Sequence, residues 1–161
     1  HHPSVMSLLP APLRDRGVQP VGRLDEDTTG LLLLTDDGTL IHRWTSPKHH
    51  VPKVYEAQAR HDVTPDQLQR LLDGVVLDDS PLPVRALDAR STGPNTLQLV
   101  LTEGKYHQVK RMLAAVGNRV DALHRSAFGH CRIPDGLAVG QWCWVDPAAV
   151  EGPKPTRTGP D

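Results

Sequence analysis

Cysteine is scarce in this sequence. Cys131 and Cys143 are the two in 161 residues, too few for a disulfide framework and suited to a reducing cytoplasm. Long apolar runs are lacking as well: even the leucine run from Leu31 to Leu34 falls far short of the ~20 residues a membrane-spanning helix needs. No charged, then apolar, then small-residue pattern opens the chain, so no secretory leader is expected. There is no glycine-rich phosphate loop ending in Lys-Ser/Thr and no serine nucleophile elbow. The nine histidines lack metal-ligand spacing; His49 and His50 are adjacent and diverge, and the two cysteines stand alone. Neither a metal nor a cofactor is expected. What remains, 38% hydrophobic and 23% charged residues at this length, describes one cytoplasmic globular domain.

Net charge is −1, which by itself argues against a nucleic-acid binder. Its distribution is uneven. Lys105, Lys110, Arg111, Arg119, Arg125 and Arg132 face Glu103 and Asp121 within one segment, a local excess of +4. His42 to His61 carries a local +3, and Asp62 to Arg90, between them, a local −3. Segregation of this kind gives either a set of ordinary solvated faces or one basic face for a polyanion.

Periodicity outlines the elements. A helical turn is expected around Met6 to Leu9 in an otherwise irregular, proline-rich start. Thr29 to Thr35 is β-suited and closes at the Asp37-Gly38 turn signal; Thr39 to Trp44 follows as a short helix stopped by Ser46-Pro47. Lys53 to Arg60 alternates with period two. Thr64-Pro65-Asp66 opens a helix with Leu68, Leu71 and Leu72 on one face, and Gly74 ends it. Val84 to Ala89 and Thr96 to Thr102 read as strands, and Tyr106 to Val116 as a helix burying Val109, Met112, Leu113 and Val116. Short strands at Ala122 to His124 and Trp142 to Val145 close the series. Glu151 to Asp161, rich in proline and glycine, reads as a disordered tail. Strands outnumber helices and the connections are short, which makes an α+β domain with a mostly antiparallel sheet.

Three places can carry chemistry. Asp25, ahead of an apolar strand, is either a turn or cap residue or a nucleophile or general base that needs a cation to keep it ionised. His107, Lys110 and Arg111 recur at helical spacing, so the helix is either a basic surface helix or the source of that cation. Tyr55, on an alternating strand, is either a core residue or a stacking platform for a base.

In these residues the chain resembles a known family. VGRLDEDTTGLLLLTDDG (Val21 to Gly38), Lys53-Val54-Tyr55, EGKYHQVKRMLAAVGN (Glu103 to Asn118) and LHRSAFG (Leu123 to Gly129) stand in the order and spacing of the RsuA-type, ribosomal small-subunit branch of the pseudouridine synthases. The resemblance runs from about Pro20 to Asp146. It implies the pseudouridine synthase catalytic fold over residues 1–150 and isomerisation of uridine to pseudouridine in ribosomal RNA, without metal, redox cofactor or ATP. TSPKHH (Thr45 to His50) and KYHQVKRM favour 16S rRNA. A 23S-directed enzyme of the same family, or a non-catalytic rRNA-binding assembly factor, are the alternatives.

By position, the resemblance makes Asp25 the catalytic aspartate, Tyr55 the ring that stacks on the flipped uracil, and Lys110 the base that pairs with Asp25. Arg23 resembles the arginine that fills the gap left by the flipped base. Leu24 and Leu123 are its apolar walls, and His107, Arg111 and Arg125 are implied RNA contacts. The partner is ribosomal RNA or a small-subunit assembly intermediate, met by a monomer. The family commonly begins with a small S4 RNA-binding domain and a first catalytic strand bearing Lys-Pro-x-Gly. Neither pattern occurs in these residues, and the chain opens at His1 without a Met, so the sequence is expected to be either a fragment of a longer protein or a short form of the family.

Overall fold

A computed structural model describes residues 4–153. The strongest alternation in the sequence lies in its middle, and there the sheet is built. Strand β1 is Gln19–Pro20, β2 Thr28–Gly30, β3 Leu34–Thr35, β4 Lys53–Ala59, β5 Asp88–Gly93, β6 Thr96–Leu101, β7 Val120–Phe128 and β8 Cys131–Arg132. The helices are α1 Ala11–Asp15, α2 Gly38–Thr45, α3 Pro65–Asp73, α4 Gln108–Ala115 and α5 Pro147–Glu151, with 3-10 turns at Val5–Leu8 and Pro47–His49. The main sheet has six strands in the order β2-β7-β4-β6-β5, with β8 also on β7. Every pairing is antiparallel except β2 with β7, which is parallel. β1 and β3 form a separate two-stranded ribbon. This is the expected α+β architecture.

Local chemistry explains the principal elements. In β6, Leu97, Leu99 and Leu101 are buried while Thr96, Gln98 and Val100 are only partly so, as a half-buried strand requires. Helix α3 begins with a full capping box: Thr64 accepts from the Gln67 amide, Gln67 reaches back to the Thr64 amide, and Pro65 takes the first helical position. In α4, Val109, Met112 and Leu113 are buried at one-turn spacing. These side chains meet Leu71, Leu97, Leu99 and Leu101 in one core. A second core gathers Val21, Leu33, Trp44, Phe128, Cys131 and Val150 under α2 and α5. Between them runs the loop Gly22–Asp27.

Several expectations are corrected. The stretch Thr29 to Thr35 is not one strand: its ends join different sheets, and the chain turns at Gly30 (φ 114°). A Cβ at Gly30 would lie 2.1 Å from the Arg125 carbonyl oxygen, so only glycine permits β2 to run that close to β7. The stretch Val84 to Ala89 is a strand only from Asp88, because the Val84 and Ala86 amides bond back to Val75 and Leu71 at the end of α3. Far from ending at His124, β7 runs through to Phe128. Trp142 to Val145 forms no strand; the Trp142 and Trp144 rings pack edge to face at 5.4 Å. Glu151, placed in the disordered tail by sequence, closes α5 and accepts from the Trp44 indole at 3.1 Å; residues 154–161 lie outside the described residues. Among the described residues no helix is long and apolar enough to cross a membrane.

Candidate active site

The Gly22–Asp27 loop is set by its two ends. Val21, fully buried, bonds through its amide to Leu33, and β2 is fastened to β7 from Thr28 onward. Inside the loop the Thr28 amide donates to the Asp25 carbonyl at 2.9 Å, closing a turn that lifts Asp25 from the sheet. Across from it stands the N-terminal end of α4. Between the two lies a cleft of about 170 Å³.

Most of the residues singled out by sequence meet there. Asp25, Tyr55, Lys110, Arg23, Leu24, His107 and Leu123 all line the cleft. They come from four separate stretches of chain. Tyr55 rises from β4, where it opposes Leu99 on one side and Arg125 on the other, so its ring sits at the margin of the main core. Leu101 and Val109 add apolar wall.

The ion pairing differs from the expectation. The Lys110 ammonium lies 3.0 and 2.9 Å from the two carboxylate oxygens of Asp27, not on Asp25. That hydrogen bond holds the Asp27 carboxyl below its ordinary value and raises Lys110, to which the charge of Asp25 also contributes. Asp25 faces instead the His107 imidazole, with Nε2 3.6 Å from Oδ1. Asp27 is the more exposed of the two acids, with 67% of its side chain accessible against 24% for Asp25.

Two further expectations are corrected. Arg111 does not join His107 and Lys110 in the cleft: its guanidinium donates to Asp79 and to the Tyr106 carbonyl. His107 lies outside the regular helix, as its cap, so the three side chains do not share one face. Arg125 is not an RNA-facing residue. It is 3% exposed, donates through Nε to the Leu31 carbonyl at 2.9 Å, and lies 5.2 Å from the Phe128 ring centroid. In return the Leu31 amide donates to the Arg125 carbonyl, so Arg125 staples β2, and the loop before it, to β7. Lys53 lies over the same Phe128 ring at 5.2 Å; burial, with the charge of Arg125 adding, pushes its pKa down.

Sequence reasoning missed Asp27, Thr28 and Tyr106. Asp27 was legible as one of three consecutive acids, which give any facing lysine a choice. The Thr28 hydroxyl, buried in the cleft wall, has no hydrogen-bond partner among the described residues. No group of His, Cys, Asp and Glu among the described residues is arranged to hold a metal.

A family model described as RNA pseudouridylate synthase matches residues 1–115. The chain belongs to the RNA pseudouridylate synthase family. Curated relatives named "Ribosomal small subunit pseudouridine synthase A" include that of Yersinia pestis, 43% identical over 88% of this chain, and that of Escherichia coli K12, 40% identical over 88%. The chain spans about three fifths of their length, 60% and 61% respectively. A solved structure titled "Crystal structure of pseudouridylate synthase" superposes with a TM-score of 0.87 at 36% identity, covering 92% of this chain and 64% of that one. The family fold expected from the GRLD, Lys-Val-Tyr and KYHQVKRM blocks is therefore present. The cleft lies where those blocks converge.

Proposed function

We propose that this chain carries the catalytic domain of a ribosomal RNA pseudouridine synthase acting on a uridine of 16S rRNA. The observation that carries the reading is the convergence of Asp25, Tyr55 and Lys110, from three distant segments, on one cleft with leucine walls. The curated relatives' names point to the small-subunit RNA. A soluble monomer in the cytoplasm, taking rRNA or an assembling small subunit, completes the proposal.

The reaction is an isomerisation. The bond from N1 of uracil to C1′ of ribose breaks, the base turns, C5 joins C1′, and the proton on C5 leaves as N1 gains one. Nothing is oxidised and no group is lost. The uridine must leave the helical stack to reach Asp25. Tyr55 then stacks on the freed uracil, Leu24, Leu101 and Leu123 exclude water, and Arg23 stands at the rim to occupy the space the base vacates. Asp25 acts as the carboxylate, whether it attacks the nucleotide or removes a ribose proton. Lys110 holds positive charge near it, where the apolar walls strengthen the interaction, and the His107 imidazole faces its carboxylate.

Pseudouridine mapping tests the proposal. Carbodiimide modification and primer extension are applied to 16S and 23S rRNA from cells with and without this gene. One 16S stop should vanish with the gene and return with the wild type but not with Asp25→Asn. A lost 23S stop would move the substrate to the large subunit. No change in either RNA would leave the assembly-factor reading.

A further inference from the structure

Tyr106 lines the cleft, yet 64% of its surface is exposed and the chemistry above makes no use of it. One face of its ring rests on the His107 imidazole, with centroids 3.8 Å apart and planes at 21°. With one face covered, so large an exposure leaves the other face in solvent. An aromatic ring ordinarily buries its surface, so an open face on a stacked ring is a costly arrangement.

The backbone beneath the ring is also held in place. His107 adopts a left-handed conformation (φ 48°, ψ 39°), which a residue with a Cβ seldom takes up. Arg111 donates to the Tyr106 carbonyl at 2.7 Å, and the same guanidinium is anchored by Asp79. Lys105 precedes the ring and, like Lys110, lines the same cleft. A flat, preorganised π face in a cleft that lysines also line suits an unpaired nucleobase and its phosphate, since stacking accepts any base and a cation takes the backbone.

We propose that Tyr106 is a stacking platform for the unpaired base next to the uridine held in the cleft, with Lys105 meeting the phosphate between them. The inference rests on the reading of the cleft as an RNA site and extends it from one nucleotide to two. Flipping one base removes the stacking partner of its neighbour, and Tyr106 replaces that partner.

The test uses the full chain and short oligouridines carrying 2-aminopurine immediately 5′ or 3′ of a central uridine, whose fluorescence is quenched on stacking. Wild type should quench one of the two probes. Tyr106→Phe and Tyr106→Trp should keep the quenching. Tyr106→Ala and Tyr106→Leu should abolish it and raise Kd about 5- to 150-fold, the range that base–aromatic stacking spans. Asp25→Asn should quench as wild type does, which separates binding from turnover. Circular dichroism confirms that each variant is folded. Equal quenching by Tyr106→Ala and wild type, or no quenching of either probe by wild type, overturns the proposal. Quenching by wild type with no stop lost from 16S or 23S rRNA in the mapping experiment would refute the enzymatic reading and leave the platform standing.

Discussion

Gly30→Ala tests how the catalytic loop is anchored. Gly30 sits at φ 114°, a region a Cβ makes strained, at about 1–3 kcal/mol. The new methyl would also meet backbone, with the Arg125 oxygen, nitrogen and carbonyl carbon 2.1 to 2.8 Å away. A backbone clash cannot be relieved by a rotamer change, so β2 must separate from β7. Separation breaks the Leu31–Arg125 amide bond of 2.8 Å and the Arg125 Nε bond to Leu31 of 2.9 Å, each contributing about 0.5–1.5 kcal/mol. The expected loss is about 2–6 kcal/mol, a large part of the usual stability of a domain. Urea unfolding should report it as a lower midpoint at unchanged slope. Turnover should fall at temperatures where the variant is still folded, because Asp25 lies five residues upstream, in the loop that leads into the displaced strand. A variant within about 0.5 kcal/mol of wild type, with normal turnover, would refute both the close approach and the anchoring argument.

Other consequences concern charge and stacking. Asp27 is held below its ordinary value of 3.8 by Lys110, so the pair's contribution is complete above that pH and is lost as pH falls through the lower folded-state value. Lys110, raised above 10.5, behaves conversely: its share is complete below 10.5 and disappears as pH rises through the higher value. For so exposed a pair the stability difference between wild type and Asp27→Asn should be at most about 1 kcal/mol at neutral pH and should vanish at both extremes; a difference constant with pH would show that the pair is not its source. Tyr55→Leu should reduce turnover far more than Tyr55→Phe, since stacking on uracil needs a ring. Equal losses from the two changes would transfer the role to the hydroxyl.

Much of this molecule was legible before any coordinates. The Thr64-Pro65 cap, the inner face of α4 and the alternation of β4 and β6 all stand where period and capping chemistry put them, because each is decided by near neighbours in sequence. What escaped was decided at a distance. β7 looked short because Arg125 and Ser126 interrupt its apolar pattern, yet Arg125 points inward to tie down Leu31. Val84 and Ala86 have strand-like side chains, but their amides are claimed by the end of α3. In the cleft, residue type and spacing left Asp25, Tyr55 and Lys110 open between structural and chemical roles; the family resemblance grouped them, and all three line the cleft. Neither revealed that Lys110 would pair with Asp27, since a flexible ammonium near two carboxylates can reach either and the choice is made by the folded loop. Arg111 was lost to the cleft for a similar reason: Asp79, far away in sequence, competes for it.

The place of β7 in the sheet bears on how the protein is made. One edge of β7 carries β4, and the other is shared by β2 and β8, so the Asp25 loop is held by residues that follow it by about a hundred positions. The Thr29–His124 contact spans 95 residues. A ribosome making this chain releases Asp25, Tyr55 and Lys110 in turn, but β2 has nothing to pair with until Phe128 has left the exit tunnel. The cleft therefore closes late, after α3 and the β5–β6 hairpin have formed from contacts close in sequence. A nascent chain stopped short of β7 would hold most of the residues of the site and no site.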